Sequence, residues 1–179
     1  NALRMYAAAK TDRTVADWFT TQSSADAEIL TSRIAVISRT RQLERDDPYM
    51  RRILRLYENN VIGHNGIQLQ CKAKDADGSY DTVANSMIED AWKRAGSSKN
   101  CATNRRMTMV DTRRLTVRAV VRDGGILWRK RPGYDNEFAF AIQPIEIDRL
   151  DHNLNRSELP GQNGIRFGIE FDGFGAIVA

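Results

Sequence analysis

Between Asp47 and Gln70 the chain spells out a capped amphipathic helix, a glycine stop and a strand, in that order, and no other stretch constrains the fold as much. Asp47 is placed to accept backbone hydrogen bonds as an N-cap. Pro48 takes the first helical position, where its fixed φ suits the helix and its missing N–H removes a donor that has no intrahelical acceptor. Met50, Ile53, Leu54, Tyr57 and Val61 then recur at helical spacing, with Arg51, Arg52, Arg55 and Glu58 on other faces. Gly63 predicts a left-handed helix stop, and Asn65-Gly66 a tight turn. Ile67, Leu69 and Cys71 alternate with Gln68, Gln70 and Lys72, which predicts a strand over 67–72 with one buried face.

The same reading extends along the chain. Residues 1–22 hold Trp18 and Phe19 among polar neighbours and read as an arm that docks on something. Ser24, followed by Asp26 and Glu28, starts a helix whose Leu30, Ile34 and Ile37 share a face. Arg33, Arg39, Arg41 and Arg45 gather toward its C-terminal end, where cations are favoured. Asp75-Ala76-Asp77-Gly78 is a turn. It resembles a calcium loop only faintly, because Tyr80 stands where that loop needs glycine. A third helix from Thr82 carries Ala84, Met87, Ile88, Ala91, Trp92 and Ala95 and stops at Gly96, and residues 97–107 read as a polar loop. Thr108 and Asp111 predict a capping box opening a fourth helix that ends at Gly124-Gly125.

Beyond that point the hydrophobic period changes from helical to two. A strand is expected over 126–131, then a second through Phe138, Phe140 and Ile142 that Pro144 interrupts, with Ile145 to Asp151 following. Ile165, Phe167, Ile169 and Phe171 form a single alternating run, and Asp172 to Gly175 reads as a hairpin turn into a last strand from Ala176. The absence of an initiator Met and the apolar finish lead us to expect a piece of a longer polypeptide.

Little in the chain points to chemistry. His64 and His152 are far apart and not at metal spacing, and both read as turn or loop residues. No glycine-rich loop with Lys and Ser/Thr offers a phosphate cradle, and Ser23, Ser24, Ser97 and Ser98 lie in polar loops without a nucleophile elbow. Glu146, Asp148 and Asp151 read as salt-bridge partners of Arg149 rather than paired acids. Trp92 and Trp128 read as packing residues, although Trp128 beside Arg129, Lys130 and Arg131 has the composition of a base-stacking platform. Cys71 and Cys101 read as idle thiols of a strand and a loop. No enzyme activity and no cofactor are expected. No apolar run approaches the span of a bilayer, so no membrane partner is expected either. The formal net charge of +4 is carried mostly by arginine. Arginine suits subunit interfaces and phosphate contact better than lysine does.

Several of these segments resemble a known family. Arg41, Leu43, Arg45, the turn at Asp46-Asp47-Pro48-Tyr49, Asn60-Val61-Ile62-Gly63 and Gly66-Ile67-Gln68-Leu69-Gln70 are similar to the N-terminal signature of the lambda-like portal proteins of tailed phages. Asp46-Asp47 replaces an Asn pair common in that family, and Met50 an Ala. The helix ending in Trp92, the helix into Asp123-Gly124, the segment 143–151 and the segment 163–172 follow in family order. The loop at Asn100-Cys101-Ala102 and Gly125 depart from it.

The resemblance implies an α+β fold: N-terminal amphipathic helices, then a small, mainly antiparallel sheet, together the wing of a larger chain. Its expected parts are an arm over 1–22, a mainly helical part over 23–131 with strands at 67–72 and 126–131, and a β-rich part over 132–179 that stops before the stem and clip. It implies a ring, usually of twelve copies, at one vertex of the capsid, through which double-stranded DNA is packaged and ejected. Partners would be the subunit itself, the major capsid and scaffold proteins, terminase, head-completion and tail adaptor proteins, and DNA bound without sequence preference. Its place would be the virion, and the host cytoplasm during assembly. Arg39, Arg41, Arg45, Arg51, Arg52 and Arg55 are the candidate contacts to a neighbouring subunit or to DNA. The competing reading is a self-contained, arginine-rich module that binds nucleic acid without sequence specificity.

Overall fold

A computed structural model describes Arg13 and residues 24–178; the arm expected over 1–22, with Trp18 and Phe19, otherwise lies outside the described residues. The chain divides into two units, 1–33 and 34–179, with the boundary inside the first helix, α1 (Ala25–Asp46). Asp26 and Glu28 lie in its first turn and Arg45 in its last, which complements the helix dipole.

In the second unit, α1 is followed by α2 (Pro48–Val61), α3 (Thr82–Ala95), a one-turn helix α4 (Ser98–Cys101) and α5 (Met109–Asp123). The caps expected at Asp47 and at Thr108-Asp111 are in place, and α3 has one that the sequence reading did not name, Asp81. The Asp47 carboxylate accepts from the Tyr49 N–H at 2.7 Å, and the Asp81 carboxylate from the Ala84 N–H at 2.8 Å. Thr108 and Asp111 form a reciprocal capping box on α5. Gly63 follows α2 at φ +77°, and Gly124 ends α5 at φ +83°.

The strands form two small antiparallel sheets. β1 (Ile126–Pro132) pairs with β2 (Phe140–Glu146), and β3 (Gly164–Arg166) with β4 (Ile169–Phe171). A 3-10 turn, Ile147–Arg149, leaves β2. The core is small: Leu54 of α2, Ile37 of α1, Thr112 and Ala119 of α5, Cys101 of α4, and Ala141 of β2 are buried, with Ile62 and Ala102 beside them. α2 packs along α5, and the β1–β2 hairpin lies against α4 and α5.

Several sequence expectations are corrected. Residues 67–72 are not a strand: the segment lies outside every ladder, and only Lys74 beyond it forms a single bridge, to Tyr80. The loop expected over 97–107 contains α4, whose Asn100 and Cys101 are buried. Pro144 does not interrupt β2. It sits opposite Trp128; Ile142, two residues earlier, turns its carbonyl away from β1 to accept from Thr103, so Pro144 lies on that same outer edge, where a missing N–H breaks no bond of the β1–β2 ladder. The alternating run 165–171 is two strands, because Phe167 and Gly168, at φ +52° and +79°, make a tight turn between them.

Candidate assembly surface

The helical part is tied by a run of alternating charges that joins α1, α2, α5 and the 3-10 turn. Arg41 Nε donates to Asp123 Oδ1 at 2.8 Å, and its Nη1 pairs with Asp148. Arg122 forks onto Asp123 at 2.9 and 2.7 Å and reaches Glu44 Oε2 at 2.7 Å. Arg118 bonds Glu44 Oε1 through Nε at 2.7 Å and Glu58 Oε1 through Nη1 at 3.0 Å. Burial pushes the Asp123 carboxyl up, but the bonds from Arg122 and Arg41 outweigh it and hold it below the usual carboxylate range. Glu44 is likewise raised by burial and brought below its ordinary value by Arg122 and Arg118.

Two more arginines of α5 fix the link after α2. Arg114 Nη2 donates to the carbonyls of Gly63 and His64 at 3.0 and 3.2 Å, and Arg113 Nη1 to that of Ile67 at 3.0 Å. The Arg113 guanidinium lies 5.7 Å from the centre of the Trp92 ring. Trp92 is therefore a half-exposed platform for a cation, not the core residue its spacing suggests.

α2 shows the opposite of a finished surface. Of the apolar face expected to be buried, Leu54 is covered and Met50 is half-buried, while Ile53, Tyr57 and Val61 are exposed, with Tyr49 and Leu56 beside them. Arg51, Arg52 and Arg55, with Pro48, Leu56 and Asn59, line a shallow concavity of about 500 Å³. Tyrosine, arginine and aliphatic side chains together are the composition of a protein–protein contact.

Of the six arginines marked in the sequence, the structure brings Arg51, Arg52 and Arg55 together on α2 and leaves Arg39 and Arg45 exposed on α1. No guanidinium of these five has a hydrogen bond or ion pair among the described residues. Arg41 differs, because its guanidinium is engaged within its own chain. Of the three acids expected to pair with Arg149, Asp148 pairs with Arg41 instead. Sequence reading missed Glu44, Glu58, Arg118, Arg122 and Asp123. Its one usable signal was Arg114, Arg118 and Arg122 recurring every four residues on α5.

Among the described residues no group of three or more His, Cys, Asp or Glu side chains could hold a metal ion. Asp77 accepts instead from the backbone N–H and hydroxyl of Ser79, closing the turn at 75–79. Cys101 is buried near Thr112, and burial pushes its thiol up. Among the described residues no helix is long and apolar enough to cross a membrane.

The family described as phage portal protein, lambda family, matches residues 11–179. The probable portal protein of Halomonas phage phiHAP-1 is 32% identical over 171 residues, which cover 94% of this chain and 33% of the relative. The chain thus spans about a third of that protein's length. The match of the family across almost every residue, together with this relative, shows that the chain belongs to the lambda family of phage portal proteins.

Proposed function

We propose that this chain is the wing-forming part of a portal subunit that closes into a ring at the capsid vertex. Double-stranded DNA passes through the ring, and terminase and head-completion proteins dock on it. Residues 23–131 form the helical part of the wing and 132–179 its β-rich part. The subunit acts by geometry: head-to-tail contacts of one kind close into a rotationally symmetric ring. No step of chemistry is assigned to it.

The observation that carries this reading, beside family membership, is the outward face of α2. Ile53, Leu56, Tyr57 and Val61 are exposed around arginines that have no partner among the described residues. A solvated helix face has no use for so many apolar groups, whereas a subunit contact does. Light scattering behind size exclusion of the full-length protein tests the reading, with negative-stain imaging beside it. The expected result is a ring of many subunit masses; a monomer or dimer that binds DNA fragments overturns it in favour of the nucleic-acid module.

A further inference from the structure

The segment 67–72 has the sequence of a strand and the company of none. Its backbone bonds follow a strict parity. Cys71 N–H donates to Glu89 of α3 at 3.0 Å, and Ala73 donates to Asn85 Oδ1 at 2.8 Å and accepts from Asn85 Nδ2 at 3.1 Å. The Ile67 carbonyl accepts from Arg113 of α5. All of these are odd-numbered residues. In an extended chain the N–H and C=O of successive residues point to opposite sides, so these bonds fall on one edge, where helix side chains stand in for a strand at Ile67, Cys71 and Ala73, while Leu69 makes no backbone hydrogen bond among the described residues.

The even residues face the other way. The N–H and C=O of Gln68, Gln70 and Lys72 make no hydrogen bond among the described residues, and all three residues are exposed. They present donors and acceptors in a row, roughly 7 Å apart, the repeat of an open ladder. Ile67 and Leu69 are 57% and 39% exposed beside them. An open edge flanked by apolar side chains is a pairing site unless something covers it.

The chain has a second open edge of a different kind. Ala176 and Val178 turn their backbone toward Asp172 and Glu170 of the β4 hairpin, which leaves Ile177 to face outward. Ile177 and Val178 are 69% and 55% exposed. The outer side of β1 is a poorer partner, since exposed Arg129, Lys130 and Arg131 repel Lys72 and Lys74 and Pro132 lacks a donor. Glu170 and Asp172 give the 176–178 edge the complementary sign. Within the chain the two edges do not pair with each other. Two unlike, complementary edges on one subunit are what a head-to-tail contact between copies requires.

We propose that residues 68–72 are an edge strand completed by the 176–178 strand of a second copy, so that a ladder crosses each subunit boundary. The proposal rests on the ring reading and names a surface by which the ring closes. The test is residue-resolved amide exchange on the full-length protein, as rings and as dissociated subunits, with assembly followed by light scattering.

The amides of Gln68, Gln70, Lys72 and Ile177 are expected to slow about a hundredfold or more in rings and to exchange freely in dissociated subunits. A Gln70→Cys/Ile177→Cys pair in a Cys71→Ser background is expected to give a ladder of disulfide-linked multimers. Free exchange in rings overturns the proposal, as does equal protection in dissociated subunits, which marks a partner strand within the same polypeptide. Protection without cross-linking overturns the pairing with 176–178. Absence of rings in the scattering overturns the portal reading itself, and the proposal with it.

Discussion

Asp123 is the residue on which the helical part turns. Its side chain is 3% exposed and holds guanidinium groups from α1 and from α5. Removing one partner of a buried ion pair leaves the others uncompensated, so Asp123→Asn is expected to cost about 3 kcal/mol, read as a lower urea midpoint at neutral pH. Asp148, 47% exposed, shares Arg41 with it, but Asp148→Asn is expected to cost less than about 1 kcal/mol because water screens that pair. The pH dependence has a definite sign. Asp123 and Glu44 both titrate below their ordinary values in the folded chain. Their contribution is complete above the unfolded carboxylate range, near pH 4, and is lost as pH falls through the folded values. Urea midpoints measured from pH 6 to pH 2 should fall more steeply for the native chain than for Asp123→Asn; parallel curves would show that Asp123 does not drive the acid loss.

Elements differ in how far their sequence specifies them. The caps of α2, α3 and α5 are local: acceptor and donor lie within three residues, so Asp47 and Thr108 were read directly, while Asp81 was not read although its signal is as local. Thr108→Ala removes the hydroxyl that accepts from the Asp111 N–H while leaving the Thr108 N–H bonded to the Asp111 carboxylate, and is expected to cost about 1 kcal/mol, visible in thermal unfolding. Gly66 was legible as a turn, but not its second constraint. At φ +71°, a Cβ there would come within 2.7 Å of Val110 Cγ2. Gly66→Ala therefore adds a clash to backbone strain and should cost more, about 2 to 3 kcal/mol, than Gly78→Ala, where strain acts alone in open space. Equal midpoints for the two variants would remove the clash from the account. What could not be read were decisions made by distant chain. The alternation at 67–72 predicted a ladder strand, but the hydrogen-bond partners the segment finds are side chains of α3 and α5. Apart from the adjacent Arg122–Asp123 pair, the ion-pair run joins residues 60 to 107 positions apart, beyond any spacing rule. Phe167-Gly168 hid a turn inside an unbroken alternation because Phe gives no warning of a positive φ.

At the scale of the whole molecule, the described residues bury few large side chains and leave many outside: Ile34, Val36 and Leu43 on α1, Tyr49, Ile53, Leu56, Tyr57 and Val61 on α2, and Val83, Met87 and Ile88 on α3. Amphipathic spacing was legible in all three helices, but a sequence does not say whether an apolar stripe faces its own core or another subunit. The charges answer part of that question. Arginines that serve the fold, Arg41, Arg113, Arg114, Arg118 and Arg122, all find acceptors within the chain, while Arg51, Arg52 and Arg55 find none among the described residues. If the latter group meets carboxylates of a neighbouring subunit, Arg51→Glu/Arg52→Glu sets like charges against each other in every contact of the ring. Because neither side chain supports the fold, the thermal midpoint of the dissociated subunit should shift by less than about 0.5 kcal/mol equivalent. Ring assembly followed by light scattering should instead need at least about tenfold higher protein concentration, since each contact loses about 1.4 kcal/mol or more. Raised salt should narrow the gap by screening the repulsion. If the same arginines meet packaged DNA, rings form normally and DNA retention falls with a reduced salt slope. A variant that assembles and packages like the native protein removes this face from both roles.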